Sequence, residues 1–581
     1  MMSTDLEKRV QFYVEHEHDP HFLALAKKLQ QENKPAQLEE LFAGSIQFGT
    51  GGLRGIMQPG FTTINPLTIH LVSLGIGQYV TSLNHNPPRV VVSYDTRLYS
   101  REFAITAAQT FATLGMHVEI FAQPTPVPLL SYAIRTLKAD FGVMITASHN
   151  PKEYNGYKVY WNGGEQVVSP HDKAMEMAIQ KAQPRALLSE TEAQETGLWH
   201  WLDTEILHQY QTAIAEQPII LAVNALLKTP ITNRICYSPL HGSGREPVRY
   251  LLEQAGFNVV MPQAQMQYDG NFPSVKTPNP EDAENLQMAI TLAKEQDASL
   301  VLATDPDADR LGVAVRHQGQ FITLTGNQIG VLALHFIIDI EKKANTLPKN
   351  ALFINTVVTS PLQNKIAKAH HVTEKRVLTG FKHIAEVIAQ SEAKQSHTYL
   401  FGCEESYGYL IHPLARDKDA VSMALLVALM QEYYTQQGQT LIDTLEQLYL
   451  TYGYHRDQQL SYTFKGLSGV KAMQQMMDAI AEHSPVWSQE SPLKAIYNYR
   501  TQKVYHPDGT EIPRKETLPK TNLLQFELED ETLISARPSG TEPKIKFYIS
   551  IVARDSSTAT TKASAIVSSI EAFIQPYLAT T

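Results

Sequence analysis

Apolar residues Leu6, Val10, Tyr13 and Val14 recur at helical spacing among charged neighbours, and the stretch from Asp5 to about Phe42 reads as an N-terminal helical segment. A glycine-rich stretch follows, Phe48-Gly49-Thr50-Gly51-Gly52-Leu53-Arg54-Gly55. The pattern then changes to short β-branched runs alternating with amphipathic ones. Arg89–Tyr94, Val118–Phe121 and Phe141–Ile145 read as strands, with helices Arg101–Leu114 and Leu129–Leu137 between them. A second round places strands at Arg234–Tyr237, Asn258–Met261 and Ser299–Ala303, and helices at Glu246–Ala255 and Pro280–Glu295. A third runs from Gln328–Ile338 through Ala351–Thr356, Pro361–His370, His383–Gln390 and Thr398–Phe401 to Val421–Thr435. Strand–helix alternation predicts parallel sheets with crossover helices.

From about Tyr452 the pattern is that of a smaller α+β unit. Gly469–His483 and Thr561–Tyr577 read as helices, and Asn522–Leu528, Thr532–Pro538 and Ile545–Val552 as strands. Ser484–Pro519 is polar and rich in Pro, Lys and Glu, and reads as an irregular insertion. The expected organisation is three successive mixed α/β domains, 1–210, 211–324 and 325–450, and a C-terminal α+β domain, 451–581. No residue-level repeat accompanies the structural repetition.

A length of 581 residues agrees with several domains. The net charge of −10 argues against a chain whose main task is to hold nucleic acid. It leaves room for a small anionic substrate, because local clusters such as Arg537–Lys546 oppose the overall sign. Cys236 and Cys403 form neither a disulfide framework nor a zinc site, and a reducing cytoplasm is expected. Met1–Glu17 is charged and lacks the apolar core of a signal peptide. The longest apolar runs, Ile329–Ile338 and Ala420–Met430, are too short to span a bilayer and read as buried helices.

Four segments carry candidate chemistry. Thr146-Ala147-Ser148-His149-Asn150-Pro151 follows a strand, at the edge where open parallel sheets bind ligands. Its serine can carry a phosphoryl group covalently, or can serve only as a helix-capping turn residue. Asp305, Asp307 and Asp309 alternate after another strand, and three converging carboxylates suit Mg²⁺. An EF-hand is excluded, since Arg310 and Arg316 stand where Gly and Glu are required. Glu404-Glu405-Ser406-Tyr407-Gly408 offers hydroxyl-reading groups, or an acidic helix N-terminus. Arg537-Pro538-Ser539-Gly540-Thr541-Glu542-Pro543 offers a guanidinium, hydroxyls and turn amides for a phosphate, or a plain β-turn.

In order and spacing these segments resemble the phosphoglucomutase/phosphomannomutase family, the α-D-phosphohexomutases, over almost the whole chain. The resemblance implies that Ser148 carries the phosphate, and that Asp305, Asp307 and Asp309 bind Mg²⁺ together with a phosphoryl oxygen on Ser148. It implies that Arg310 binds or orients the phosphoryl group and that Glu404 and Ser406 read the sugar. Thr379 and Gly380, in Thr379-Gly380-Phe381-Lys382, resemble a further sugar-contacting loop, and Lys418 a phosphate-contacting lysine. The loop with Arg537, Ser539, Gly540 and Thr541 would hold the phosphate that is not being transferred. Arg54 resembles a catalytic-site arginine, and Lys158, in Asn155-Gly156-Tyr157-Lys158, an acid/base lysine. A lysine acts as a base only if its pKa falls, and His149 is its rival.

By the same resemblance the four domains would surround a central cleft. The activity would be Mg²⁺-dependent interconversion of sugar 1- and 6-phosphates, through a phosphoserine and a sugar 1,6-bisphosphate that also primes the enzyme. Pro239-Leu240-His241-Gly242 and Thr325-Gly326-Asn327-Gln328 resemble the branch holding phosphoglucomutases and phosphopentomutases. Glucose phosphate is the expected substrate, with mannose or pentose phosphate as alternatives, and a metal-dependent phosphatase as a different class.

Overall fold

The computed structural model describes residues 4–32, 34–46, 52–83, 86–464, 466–482, 484–514, 517–539 and 544–578. The N-terminal helical segment is three helices, Thr4–His16, Pro20–Glu32 and Pro35–Phe42. The breaks have local causes. The Asp19 carboxylate accepts from the amides of His21 and Phe22 at 2.9 and 3.1 Å, and prolines open the second and third helices. The helices bury Leu6, Val10, Tyr13, Leu38 and Phe42 against Leu67.

Two compact units form. Residues 1–329, 336–352 and 381–441 make the first; residues 330–335, 353–380 and 442–581 make the second. In the first unit a six-stranded sheet runs in the order Gly52–Ile56, Tyr154–Trp161, Phe141–Ile145, Arg89–Tyr94, His117–Phe121, Trp199–Leu202. The last four strands are parallel, as expected from the crossover helices. The first two are antiparallel, because the eight residues after Ile145 are too few for a crossover and force a hairpin. A five-stranded sheet repeats the device. Leu300–Thr304 is parallel to Arg234–Ser238 and turns back at once as Leu311–His317. Thr398–Cys403 turns back as Tyr409–Leu410. Each of these three reversals carries one of the chemical segments. Pro280–Glu295 is not one helix but a turn, a 3₁₀ turn at Ala283–Leu286 and a helix at Gln287–Glu295. Ala420–Thr435 is buried from Ala420 through Tyr434, as its unbroken apolar run demands.

The second unit centres on a seven-stranded sheet from residues 454–553. Helices Gly466–Glu482 and Ser556–Leu578 seal it through Met476, Ile480, Ile566 and Ile570 against Phe526 and Phe547. The stretch expected to be irregular, Ser484–Pro519, contributes the strands Leu493–Asn498, Lys503–Tyr505 and Glu511–Ile512. They close one end of the sheet, with only Glu511–Ile512 at its edge, and all three are half-buried, so little of their sequence is apolar. Among the described residues no helix is long and apolar enough to cross a membrane.

Candidate active site

Ser148 sits in the first reversal, 2% exposed, with φ at 51°. That left-handed conformation is uncommon for a residue with a side chain and has to be held by its surroundings. The Ser148 amide donates to Thr146 Oγ1 at 2.8 Å. Ser148 Oγ donates to Asp305 Oδ2 at 2.7 Å and lies 3.1 Å from His149 Nδ1. Burial, together with the nearby charges of Arg310 and Arg54, pushes the His149 pKa well below its ordinary value, so the ring is neutral near pH 7.

The three aspartates converge as the sequence predicts. One oxygen from each of Asp305, Asp307 and Asp309 lies within 4.8 Å of the others, and all three residues are buried. Asp307 Oδ1 and Asp309 Oδ1 are buried without a hydrogen-bond partner. A hard divalent cation fits this donor set. Burial, then repulsion from Asp307 and Asp309, raises the Asp305 pKa well above the usual carboxylate range. Asp309 goes the other way: burial opposes its charge, but Lys418, Lys158 and Arg310 outweigh it and lower its pKa.

Lys158 lies inside the strand Tyr154–Trp161. Its Nζ donates to Asp307 Oδ2 at 2.7 Å and stands 3.3 Å from Asp309 Oδ2. Burial disfavours its charge, but these carboxylates prevail and the pKa is raised, which opposes use as a base. Arg54, on the strand Gly52–Ile56, donates to Asn150 Oδ1 at 2.9 Å; Gly49, Thr50 and Gly51 lie outside the described residues.

Arg310 follows the cage directly. Its amide donates to Asp305 Oδ1 at 3.0 Å, and its guanidinium pairs with Glu281. The Glu404 turn closes against it: Arg310 bridges to Gly408, Leu311 N donates to Tyr407 O at 3.1 Å, and Glu404 N to Gly408 O at 2.9 Å. Lys418 reaches Asp309 Oδ2 at 3.1 Å and Asp417 Oδ1 at 3.0 Å. A Cβ on Gly408 would lie 2.2 Å from Lys418 Cδ, so glycine there lets the lysine stem pass. Glu404 is buried and Ser406 half-buried. The structure thus brings together Ser148, His149, Arg54, Lys158, the three aspartates, Arg310, Glu404, Ser406 and Lys418 within the first unit.

Thr379, Gly380, Arg537 and Ser539 belong to the second unit. Thr379 Oγ1 is buried without a hydrogen-bond partner, and Gly380 has φ at 121°. Arg537 is the penultimate residue of the strand Leu533–Pro538, in register with Lys546, and the Ser539 amide donates to Lys544 O at 2.7 Å. Gly540 and Thr541 lie outside the described residues.

Sequence reasoning missed Asp95 and Arg97, which lie beneath the Ser148 loop, and Glu281. A signal was available for the first two: Asp95-Thr96-Arg97 follows the strand Arg89–Tyr94 at the same sheet edge as Ser148.

Models of phosphoglucomutase/phosphomannomutase α/β/α domains I, II and III match residues 45–186, 208–319 and 325–452 in succession. The chain belongs to this family. A phosphoglucomutase from Staphylococcus aureus (strain MSSA476) is 35% identical over 547 residues, covering 94% of this chain and 96% of its own. The chain is a phosphosugar mutase of the α-D-phosphohexomutases, an isomerase. Among solved structures, Paramecium parafusin, a phosphoglucomutase, shares its fold at a TM-score of 0.67 and 18% identity, over 93% of this chain and 96% of that one. Aspergillus fumigatus N-acetylphosphoglucosamine mutase, solved with GlcNAc-6P and magnesium, has a TM-score of 0.50 at 14% identity, over 98% and 99%. The architecture is that of the phosphohexomutases, three α/β domains and a further β-rich C-terminal domain.

Proposed function

We propose that this mutase interconverts glucose 1-phosphate and glucose 6-phosphate through a phosphorylated Ser148 and a glucose 1,6-bisphosphate intermediate. The observation that carries the reading is the 2.7 Å approach of Ser148 Oγ to Asp305 inside a cage of three carboxylates with two unpartnered oxygens. Asp305, Asp307 and Asp309 would hold Mg²⁺, which would supply positive charge to the transferring phosphoryl group. In the first half-reaction a sugar hydroxyl oxygen attacks phosphorus and the bond to Ser148 Oγ breaks. The hydroxyl proton passes, through His149, to Ser148 Oγ, which the Nδ1 distance of 3.1 Å supports. The bisphosphate turns end for end, and the reverse steps return its other phosphoryl group to Ser148. Lys158 and Arg54 remain cationic and offset charge at the centre. Arg310 binds the phosphoryl group, Lys418 contacts phosphate, Glu404, Ser406, Thr379 and Gly380 read the sugar, and Arg537, Ser539, Gly540 and Thr541 hold the phosphate that is not being transferred.

Glucose is the substrate named for the 35% identical relative, and a sugar phosphate with magnesium is the ligand set of the Aspergillus structure. The four-domain division at 210, 324 and 450 belongs to the same proposal. So does a cytoplasmic location, which two buried free thiols support. A panel of glucose, mannose and ribose 1-phosphates, each with Mg²⁺ and its bisphosphate primer, tests the reading. The highest kcat/KM is expected for glucose 1-phosphate, with glucose 6-phosphate as product. Release of inorganic phosphate in place of isomerised sugar would overturn it, and faster turnover of another sugar would overturn the substrate assignment.

A further inference from the structure

We propose that Arg97, held by Asp95, is a positioning residue that sets the Ser148 loop in register with the aspartate cage; the proposal rests on the reading of Ser148 as the phosphate carrier. Arg97 is 3% exposed, and both terminal nitrogens of its guanidinium are spent on backbone. One terminal nitrogen donates to the carbonyls of Pro151 and Tyr154 at 2.9 and 3.1 Å. The other donates to the carbonyls of Ser148 and Asn150, the second at 2.5 Å. Its Nε faces Asp95 Oδ2 at 3.4 Å. A loop has no strand or helix partner for such carbonyls, and one planar fork serves four of them here. With its terminal N–H groups spent on carbonyls and Nε buried facing Asp95 without a hydrogen bond, Arg97 is not placed to hold a phosphate, unlike the role proposed for Arg310.

Asp95 continues the chain of contacts. It accepts from the Arg97 amide at 2.9 Å, from Ser100 Oγ at 2.6 Å and from Thr146 Oγ1 at 2.6 Å. Thr146 Oγ1 in turn lies 3.2 Å from Asp307 Oδ2 and accepts from the Ser148 amide. A single path of polar contacts therefore runs from the carbonyls of the serine loop to a carboxylate of the cage. The Arg97 guanidinium also lies 5.0 Å from the Phe272 ring centre. A Cβ on Gly270 would fall 2.3 Å from Leu98 N, so the two loops are in close contact there. The left-handed backbone at Ser148 is what this framework holds in place.

The test uses Arg97→Lys and Asp95→Asn in the full-length enzyme with Mg²⁺. A lysine puts its donors on one atom and cannot span four carbonyls. Asp95→Asn keeps the side-chain shape, loses the charge, and serves if Arg97→Lys does not accumulate as folded protein. Enzyme phosphorylated from labelled glucose 1,6-bisphosphate is mixed with glucose 6-phosphate, and label transfer is followed by rapid quench. The expected result is an about ten- to hundredfold slower transfer per folded molecule, the scale of a misplaced reacting group. KM should be little changed, and more label should be lost to water. Transfer at the wild-type rate, whether or not the melting temperature drops, would show that the pair only supports packing and would overturn the inference alone. Absence of label from wild-type Ser148 would overturn the phosphoserine reading, and this inference with it.

Discussion

Replacing Asp305 by Asn should move stability and activity in opposite directions. Without a cation, Asp305 repels two carboxylates whose ligand atoms lie within 4.8 Å. At an effective dielectric constant of 20 each such pair costs about 3.5 kcal/mol, or about 7 kcal/mol gross for the two. Attraction to Arg310 offsets part of this, and the hydrogen bonds from Ser148 Oγ and from the amides of Asp309 and Arg310 also favour the carboxylate. Burial and the two neighbouring carboxylates outweigh these contributions and raise the Asp305 pKa. A net gain of about 1–3 kcal/mol on neutralisation is what remains of the gross repulsion after these offsets. It corresponds to a rise of a few degrees in the melting temperature of chelator-treated protein. With cation at a hundred times its Kd, the wild type gains about 2.7 kcal/mol, and Asp305→Asn should gain far less. Mutase activity should fall by more than about a hundredfold, since even groups that only orient metal ligands are worth about ten- to a hundredfold. Differential scanning calorimetry with EDTA or Mg²⁺, alongside activity, reads all three quantities. A variant less stable than wild type in EDTA, or one with the full Mg²⁺-induced shift, would refute the cage.

Ser148→Ala should abolish turnover, with intact-mass analysis showing loss of the phosphorylated fraction and isothermal titration showing sugar phosphate still bound. His149→Gln should lower kcat about 10²- to 10⁴-fold with little change in KM. Because burial holds the neutral ring, wild-type kcat should show no acid limb centred near pH 6.5, and a profile from pH 5 to 9 checks this. Arg537→Ala should lose about 1.5–3 kcal/mol of charge-assisted binding, or about ten- to a hundredfold in kcat/KM, and release more free bisphosphate per turnover in rapid-quench assays. Burial pushes the Asp457 carboxyl up to about 6 from 3.8, against a hydrogen bond from Ser550. The folded state therefore favours the protonated form, and that stability is lost as pH rises through 6. Asp457→Asn should raise stability by about 1–3 kcal/mol at pH 8, with the gain shrinking as pH falls toward 4, as read from urea midpoints.

The central strands Arg89–Tyr94, Phe141–Ile145 and Leu300–Thr304 were legible because buried parallel strands are continuous apolar runs with turn residues at the ends. The aspartate cage was legible because a period of two through a proline-stiffened turn brings three carboxylates together. What escaped was longer in range. Lys158 lies in a strand whose antiparallel pairing depends on the length of the preceding reversal, and Asn155-Gly156 looks like a turn. The glycine is needed instead because a Cβ there would lie 2.5 Å from Thr146 O. Arg97 bonds carbonyls up to 57 residues away, which no local pattern records. The strands Leu493–Asn498 and Lys503–Tyr505 were hidden because half-buried strands need few apolar residues and leave room for lysine.

The most direct measurement of the central claim is the fate of label on Ser148. Enzyme incubated with glucose 1,6-bisphosphate labelled in both phosphates is separated, digested and mapped, and the intact phosphoenzyme is mixed with glucose 6-phosphate in a quench-flow instrument. The account predicts one phosphoryl group on the Thr146–Pro151 peptide at Ser148, leaving for the sugar at least as fast as kcat. Label on another residue, or transfer slower than steady-state turnover, would contradict it.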